Sequence, residues 1–121
     1  MEALAYLHSD SVRVIHKDIK PANILLSGDL QTVKLADFGV CTRLQKGEKY
    51  TNKICGTPNY LAPELSLKHK CSFPADIWAM GCLLYAMITG KPPFNGKTSD
   101  ETIRKAQKGV YSMPQNISKA C

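Results

Sequence analysis

Hydrophobic residues fall into separated runs along the chain, and their spacing predicts the elements. Leu4, Ala5 and Leu7, with Tyr6, read as the last turns of a helix over residues 1–9. Val14-Ile15 and Ile24-Leu25-Leu26 are short apolar runs of strand type, and Thr32 to Ala36 alternates as a strand does. Ser27-Gly28-Asp29 supplies a turn between the second and third runs. From 37 to 64 no period is sustained and Gly and Pro recur, so this long irregular stretch is either functional or disordered. Pro74-Ala75-Asp76 then opens the strongest helix, which ends near Thr89 with Gly90 as cap and Pro92-Pro93 as stop. Apolar residues from Ile77 and Trp78 to Met87 and Ile88 cover every side of it, which predicts a helix buried in a core. It is too short for a membrane span and carries Asp76. A last helix is predicted from Thr98 to Lys108, where Thr98 and Glu101 have capping-box spacing and Gly109 can end it.

The 121 residues suffice for one domain with a modest core. A hydrophobic share of 44% and a charged share of 21% argue against a disordered chain. The net charge of +6 comes from scattered lysines, which is a solvated basic surface that would also suit a phosphate-bearing or acidic partner. The five cysteines are odd in number and include no C-x-x-C pair, so a reduced intracellular compartment, cytoplasm or nucleus, is expected. No signal-peptide pattern opens the chain, and a start inside a helix suggests truncation.

The candidate chemistry lies first in His16-Lys17-Asp18-Ile19-Lys20-Pro21-Ala22-Asn23. Pro21 disfavours helix at Lys20, so these polar residues sit on an ordered loop between two strands. Asp18 can accept the proton of an attacking hydroxyl, Lys20 can neutralise a transferring phosphate, and Asn23 can offer an oxygen to magnesium. Asp37-Phe38-Gly39 follows the alternating strand, and the intervening hairpin should return Asp37 beside Asn23. A third motif, Gly56-Thr57-Pro58-Asn59-Tyr60-Leu61-Ala62-Pro63-Glu64, ends in A-P-E.

In this order the three motifs resemble the catalytic loop, D-F-G and A-P-E of protein kinases, with Lys17 in place of Arg and Ile19 in place of Leu. Lys20-Pro21 and Thr57 resemble the Ser/Thr branch, and Cys55 to Tyr60 with Tyr111-Ser112-Met113-Pro114 look most like polo-like kinases. The resemblance implies a protein kinase-like fold: a mainly α large lobe with a small β-hairpin region, truncated, with the small lobe absent. It makes residues 1–121 one partial kinase domain, with catalytic loop 16–23, activation segment 37–64 and central helix about 75–89. The implied cofactors are ATP and Mg2+. Asp18 is then the catalytic aspartate, Lys20 contacts the transferring phosphate, and Asn23 and Asp37 are the metal ligands. Thr57 would bond toward Asp18 and Lys20, and Leu25 would lie under the adenine. His16 and Phe38 would stack, anchored by Asp76, while the partner of Glu64 would lie past Cys121.

No G-x-G-x-x-G loop or V-A-I-K lysine occurs in the chain, so the missing small lobe of its own domain is an expected partner, beside a protein substrate with Ser or Thr. Nucleic acid and membrane are not expected partners. The function implied is transfer of the ATP γ-phosphoryl group to protein hydroxyls, with the fragment alone inactive. The alternative is an inactive truncated module that acts by protein binding. Lys53 stands where polo-like relatives carry a phosphothreonine. Either phosphorylated Thr51 reaches Lys17, or the segment is ordered without phosphate.

Overall fold

A computed structural model describes residues 2–68 and 70–113. Four helices and two small antiparallel sheets follow the chain as α1 (Glu2–His8), β1 (Val14–Ile15), β2 (Ile24–Leu26), β3 (Val33–Leu35), β4 (Thr42–Arg43), α2 (Pro63–Lys68), α3 (Pro74–Thr89) and α4 (Ser99–Lys108). Single 3-10 turns occur at Pro21–Asn23 and Pro58–Tyr60, each opened by its proline. The strands flanking the 16–23 stretch do not pair with each other. β1 pairs with β4, with Val14 opposite Arg43 and Ile15 opposite Thr42. β2 pairs with β3, with Ile24 opposite Leu35 and Leu26 opposite Val33. The stretch thus bridges two sheets, and its ends are held by separate ladders.

Local chemistry sets the helix ends. Pro74 sits at the start of α3, where its missing N–H costs nothing, and Gly90 closes it in the left-handed region at φ 78°. Thr98 caps α4 by accepting the Glu101 N–H at 3.2 Å. The Glu101 carboxylate accepts from Lys97 N at 2.8 Å and not from Thr98 N, so only one half of the expected capping box forms.

α3 is the axis of the core. Its Ala75 joins Ile15, Leu44, Ala62, Leu65 and Cys71. One and two turns on, Ala79 and Leu83 join Leu4, Leu7 and Ile19. Cys82 meets Phe94 and Ala106. Burial lifts the Cys71 and Cys82 thiols to a pKa of about 11. The all-round burial expected for this helix is not observed. Small residues and Leu83 face inward, whereas Ile77, Leu84 and Met87 are 50%, 49% and 73% exposed. The described elements cover one face of α3, and apolar character alone does not say which faces have neighbours. No helix among the described residues is long and apolar enough to cross a membrane.

Near its end the described chain folds back on α3. Tyr111 packs edge-on against Tyr85 and Phe94, and the Tyr85 hydroxyl donates to the Ser112 carbonyl at 2.7 Å. Of the polo-like signal at 111–114, Pro114 lies outside the described residues.

Candidate active site

The site is hung from Asp76. This fully buried carboxylate in the first turn of α3 accepts the backbone N–H groups of His16 and Lys17, both at 2.8 Å. It also bonds His8 Nε2 at 2.8 Å. Three partners satisfy a charge that would otherwise be costly to bury. His16 is itself fully buried; its Nε2 lies 3.1 Å from the Ala36 carbonyl and its ring meets Phe38 edge-on at 5.0 Å. Lys17 has φ 72°, in the left-handed region, and this bend turns the chain out of β1 toward Asp18.

Asp18 is the centre of a closed polar set. Its Oδ1 accepts the Thr57 hydroxyl at 2.8 Å, and its Oδ2 lies 2.6 Å from Lys20 Nζ. Lys20 Nζ also donates to Thr57 Oγ1 at 3.1 Å, so the three side chains form a triangle. Asn23 Nδ2 donates to the Asp18 backbone oxygen at 2.7 Å and to Oδ2 at 3.2 Å. Both contacts need an N–H, which leaves the Asn23 side-chain oxygen free to face away. Burial alone would raise the Asp18 pKa, but the Lys20 and Thr57 hydrogen bonds, the Lys20 charge and the Asn23 bond together hold it below the usual carboxylate value.

Thr57 arrives from a distant segment because Gly56 permits a close approach. At φ 125° a side chain is strained, and a Cβ there would lie 2.5 Å from the Lys17 carbonyl oxygen. The segment before it is held at two more points. Lys17 Nζ donates to the Lys53 carbonyl at 3.4 Å. Thr51 forms an isolated antiparallel bridge with Cys71, both bonds 2.8 Å, and its hydroxyl accepts from Lys53 N.

Asp37 is next to the set but not in it. The ladder continues beyond Leu35 as Ala36 N donates to the Asn23 carbonyl at 2.9 Å, which places Asp37 one residue past the residue facing Asn23. Asp37 has φ 61° and its Oδ1 accepts its own turn's Gly39 N–H at 3.2 Å. The expected proximity of Asp37 and Asn23 is therefore one of backbone, and the carboxylate is exposed. Leu25, on β2, is 52% exposed and Phe38 51%. His8 is the site residue that sequence reasoning missed: it stands 68 positions from Asp76, and no motif marks the pair.

A family model described as "Protein kinase domain" matches residues 1–120. The chain is 41% identical over 119 residues to serine/threonine-protein kinase polo of Drosophila melanogaster, covering 98% of this chain and 20% of the relative. It is 42% identical over 113 residues to serine/threonine-protein kinase PLK1 of Xenopus tropicalis, covering 93% of this chain and 18% of the relative. With serine/threonine-protein kinase PLK4 of Drosophila grimshawi it shares 40% over 118 residues, 98% of this chain and 15% of the relative. The chain thus spans a fifth or less of the length of these relatives. With its kinase motifs in order and these matches along nearly all its length, the chain belongs to the protein kinase family, among relatives of the polo-like Ser/Thr type.

Proposed function

We propose that this chain carries the phosphoacceptor side of a Ser/Thr protein kinase centre, as part of the large lobe of the catalytic domain. The closed contact of Asp18, Lys20 and Thr57 carries the reading. Asp18 orients the attacking Ser or Thr hydroxyl of a protein substrate and takes its proton. A carboxylate held below its usual pKa is a weak base, which suits a loose transition state in which the proton leaves late. Lys20 neutralises charge on the group in transfer, and its contacts with Asp18 and the Thr57 hydroxyl, which keeps both side chains in register, support this role. The free Asn23 oxygen and the exposed Asp37 carboxylate are hard oxygen donors on neighbouring hairpin positions, which fit magnesium. Magnesium-ATP, when bound there, supplies the γ-phosphoryl group. Leu25 and Phe38 offer exposed apolar surface against which the adenine and a small lobe would pack.

The test uses this chain joined to a nucleotide-binding small lobe. Asp18→Asn should abolish phosphate transfer to a Ser/Thr protein substrate while leaving nucleotide affinity within about threefold; Asp37→Ala should weaken magnesium-dependent nucleotide binding as well. Equal loss of nucleotide affinity in both variants, by calorimetry, would refute the roles. The 121 residues alone should show no Asp18-dependent transfer.

A further inference from the structure

The flank of the molecule where the turn after α1 meets the residues following β4 carries an open cavity of mixed polar and apolar lining, separate from the Asp18 set. It has a volume of about 650 Å3, and Asp10, Ser11, Arg13, Arg43, Gln45 and Lys46 line it. Three cations and one acid line it, and a second acid, Glu48, stands beside it with its carboxylate accepting from Gln45 N at 2.6 Å. The lining acid, Asp10, is fully solvent-exposed, and its nearest contact with Arg13 is 3.9 Å, too long for a firm pair. Arg13 is nevertheless well fixed. Its Nη2 donates to the Glu48 carbonyl at 2.8 Å, and its guanidinium stands 5.8 Å from the centre of the Phe73 ring. Its Nε is buried with no partner among the described residues. The outer nitrogens of this fixed guanidinium are thus held beside two further cations. Arg43 gives one N–H to the Ser11 carbonyl at 3.0 Å and keeps its other donors. Lys46 is exposed.

We propose that this cavity binds a phosphate ester carried on a protein side chain, a phosphoserine or phosphothreonine of a partner. With Glu48 counted beside Asp10, the three cations still leave a net positive charge, and their several N–H donors suit the oxygens of a phosphate better than those of a single carboxylate. Arginine's planar fork, already ordered at Arg13, recognises phosphate at low entropic cost. Asp10 at the rim tolerates one phosphate but repels a polyanion, which disfavours a polyphosphorylated metabolite. The cavity exceeds a lone phosphate by far, and the Ser11 hydroxyl and Gln45 amide offer the mixed donors and acceptors that a peptide backbone needs. This surface accounts for part of the basic excess in the composition, and it does not involve the residues proposed for phosphoryl transfer.

The experiment is a titration of the isotope-labelled chain with a short phosphoserine peptide, its glutamate and unphosphorylated counterparts, inorganic phosphate and inositol hexakisphosphate. The amide signals of Ser11, Gln45 and Lys46 report the location. The phosphopeptide should shift those signals and bind at least fivefold tighter than the glutamate peptide and than inorganic phosphate. Arg43→Gln with Lys46→Gln, both exposed and outside the core, should weaken it about tenfold or more. Lys97→Gln with Lys108→Gln, on and before α4, removes the same charge and should change it less than twofold. Equal weakening by both pairs would show diffuse electrostatics and overturn the site. Phosphate or the inositol compound binding as tightly as the phosphopeptide would overturn the protein-borne ligand, and no shift at the named amides would overturn the location.

Discussion

Asp76 Oδ2 accepts the backbone N–H of His16 at 2.8 Å, so a helix in the second half of the chain fixes the residue that opens the 16–23 stretch. Two buried N–H groups depend on this one side chain. Asp76→Ala would strand both, and such losses cost about 3 kcal/mol or more. His8→Ala, which removes only one partner of the same carboxylate, should cost about 1 kcal/mol. Urea unfolding of both variants checks the order, and an Asp76→Ala loss under about 1 kcal/mol would contradict the anchoring role.

The two glycines before Thr57 separate strain from collision. Both have positive φ, 93° at Gly47 and 125° at Gly56, but a Cβ at Gly47 meets nothing within 4 Å whereas one at Gly56 meets Lys17 O. Gly47→Ala should cost about 1 kcal/mol. Gly56→Ala should cost about 2 kcal/mol or more and displace the segment, so trypsin should cut faster at Lys49 and Lys53. Equal melting shifts in the two variants would mean that the Gly56 contact yields without cost.

Acid should act on Asp18 in one direction. Its pKa is depressed below the ordinary 3.8, so the unfolded chain binds the proton more tightly than the folded one. The stability that the ionised group contributes is fully present above 3.8 and is lost as pH falls through the folded value. Asp18→Asn has no such proton to gain. Its stability deficit against the parent chain should therefore shrink between about pH 5 and pH 2, followed by urea unfolding at each pH. A deficit that grows on acidification would reverse the assigned sign.

Lys17 and Thr51 can be weighed against each other. The Lys17 ammonium already holds the Lys53 carbonyl, and Thr51 is committed by its backbone to Cys71. An order independent of phosphate predicts that, in a chain with the small lobe joined, Lys17→Met lowers activity about tenfold while Thr51→Ala changes it less than twofold. Mass spectrometry should find active protein without phosphate at Thr51. The opposite ranking, with phosphate present there, would establish the switch at phosphorylated Thr51.

How much of this was legible in the sequence depends on the range of each interaction. Pro74, Gly90, Thr98 and Gly109 act on their own turns, so the bounds of α3 and α4 follow closely from local residues. Asp18, Lys20 and Asn23 lie within six positions, and one loop suffices to assemble them. Thr57 comes 39 positions after Asp18, and only the motif order hinted that it would reach it. The link of Lys17 to the Lys53 carbonyl depends on backbone path, which side-chain pattern does not encode. The one-sided burial of α3 was illegible for a different reason: a large apolar residue is equally compatible with a core and with an uncovered face.

The raised thiols of Cys71 and Cys82 make the protein a reporter of its own opening. With both thiols pushed up to about 11 by burial, almost none of either carries the reactive thiolate at neutral pH, and both sulfurs are shielded besides. The first lies in the bridge to Thr51 and the second against Phe94, so they sit under different parts of the fold. An alkylating reagent added to the native chain therefore runs as two clocks. Modification at Cys71 ahead of Cys82 would record release of the bridged segment, and simultaneous modification would record loss of the whole core in one step.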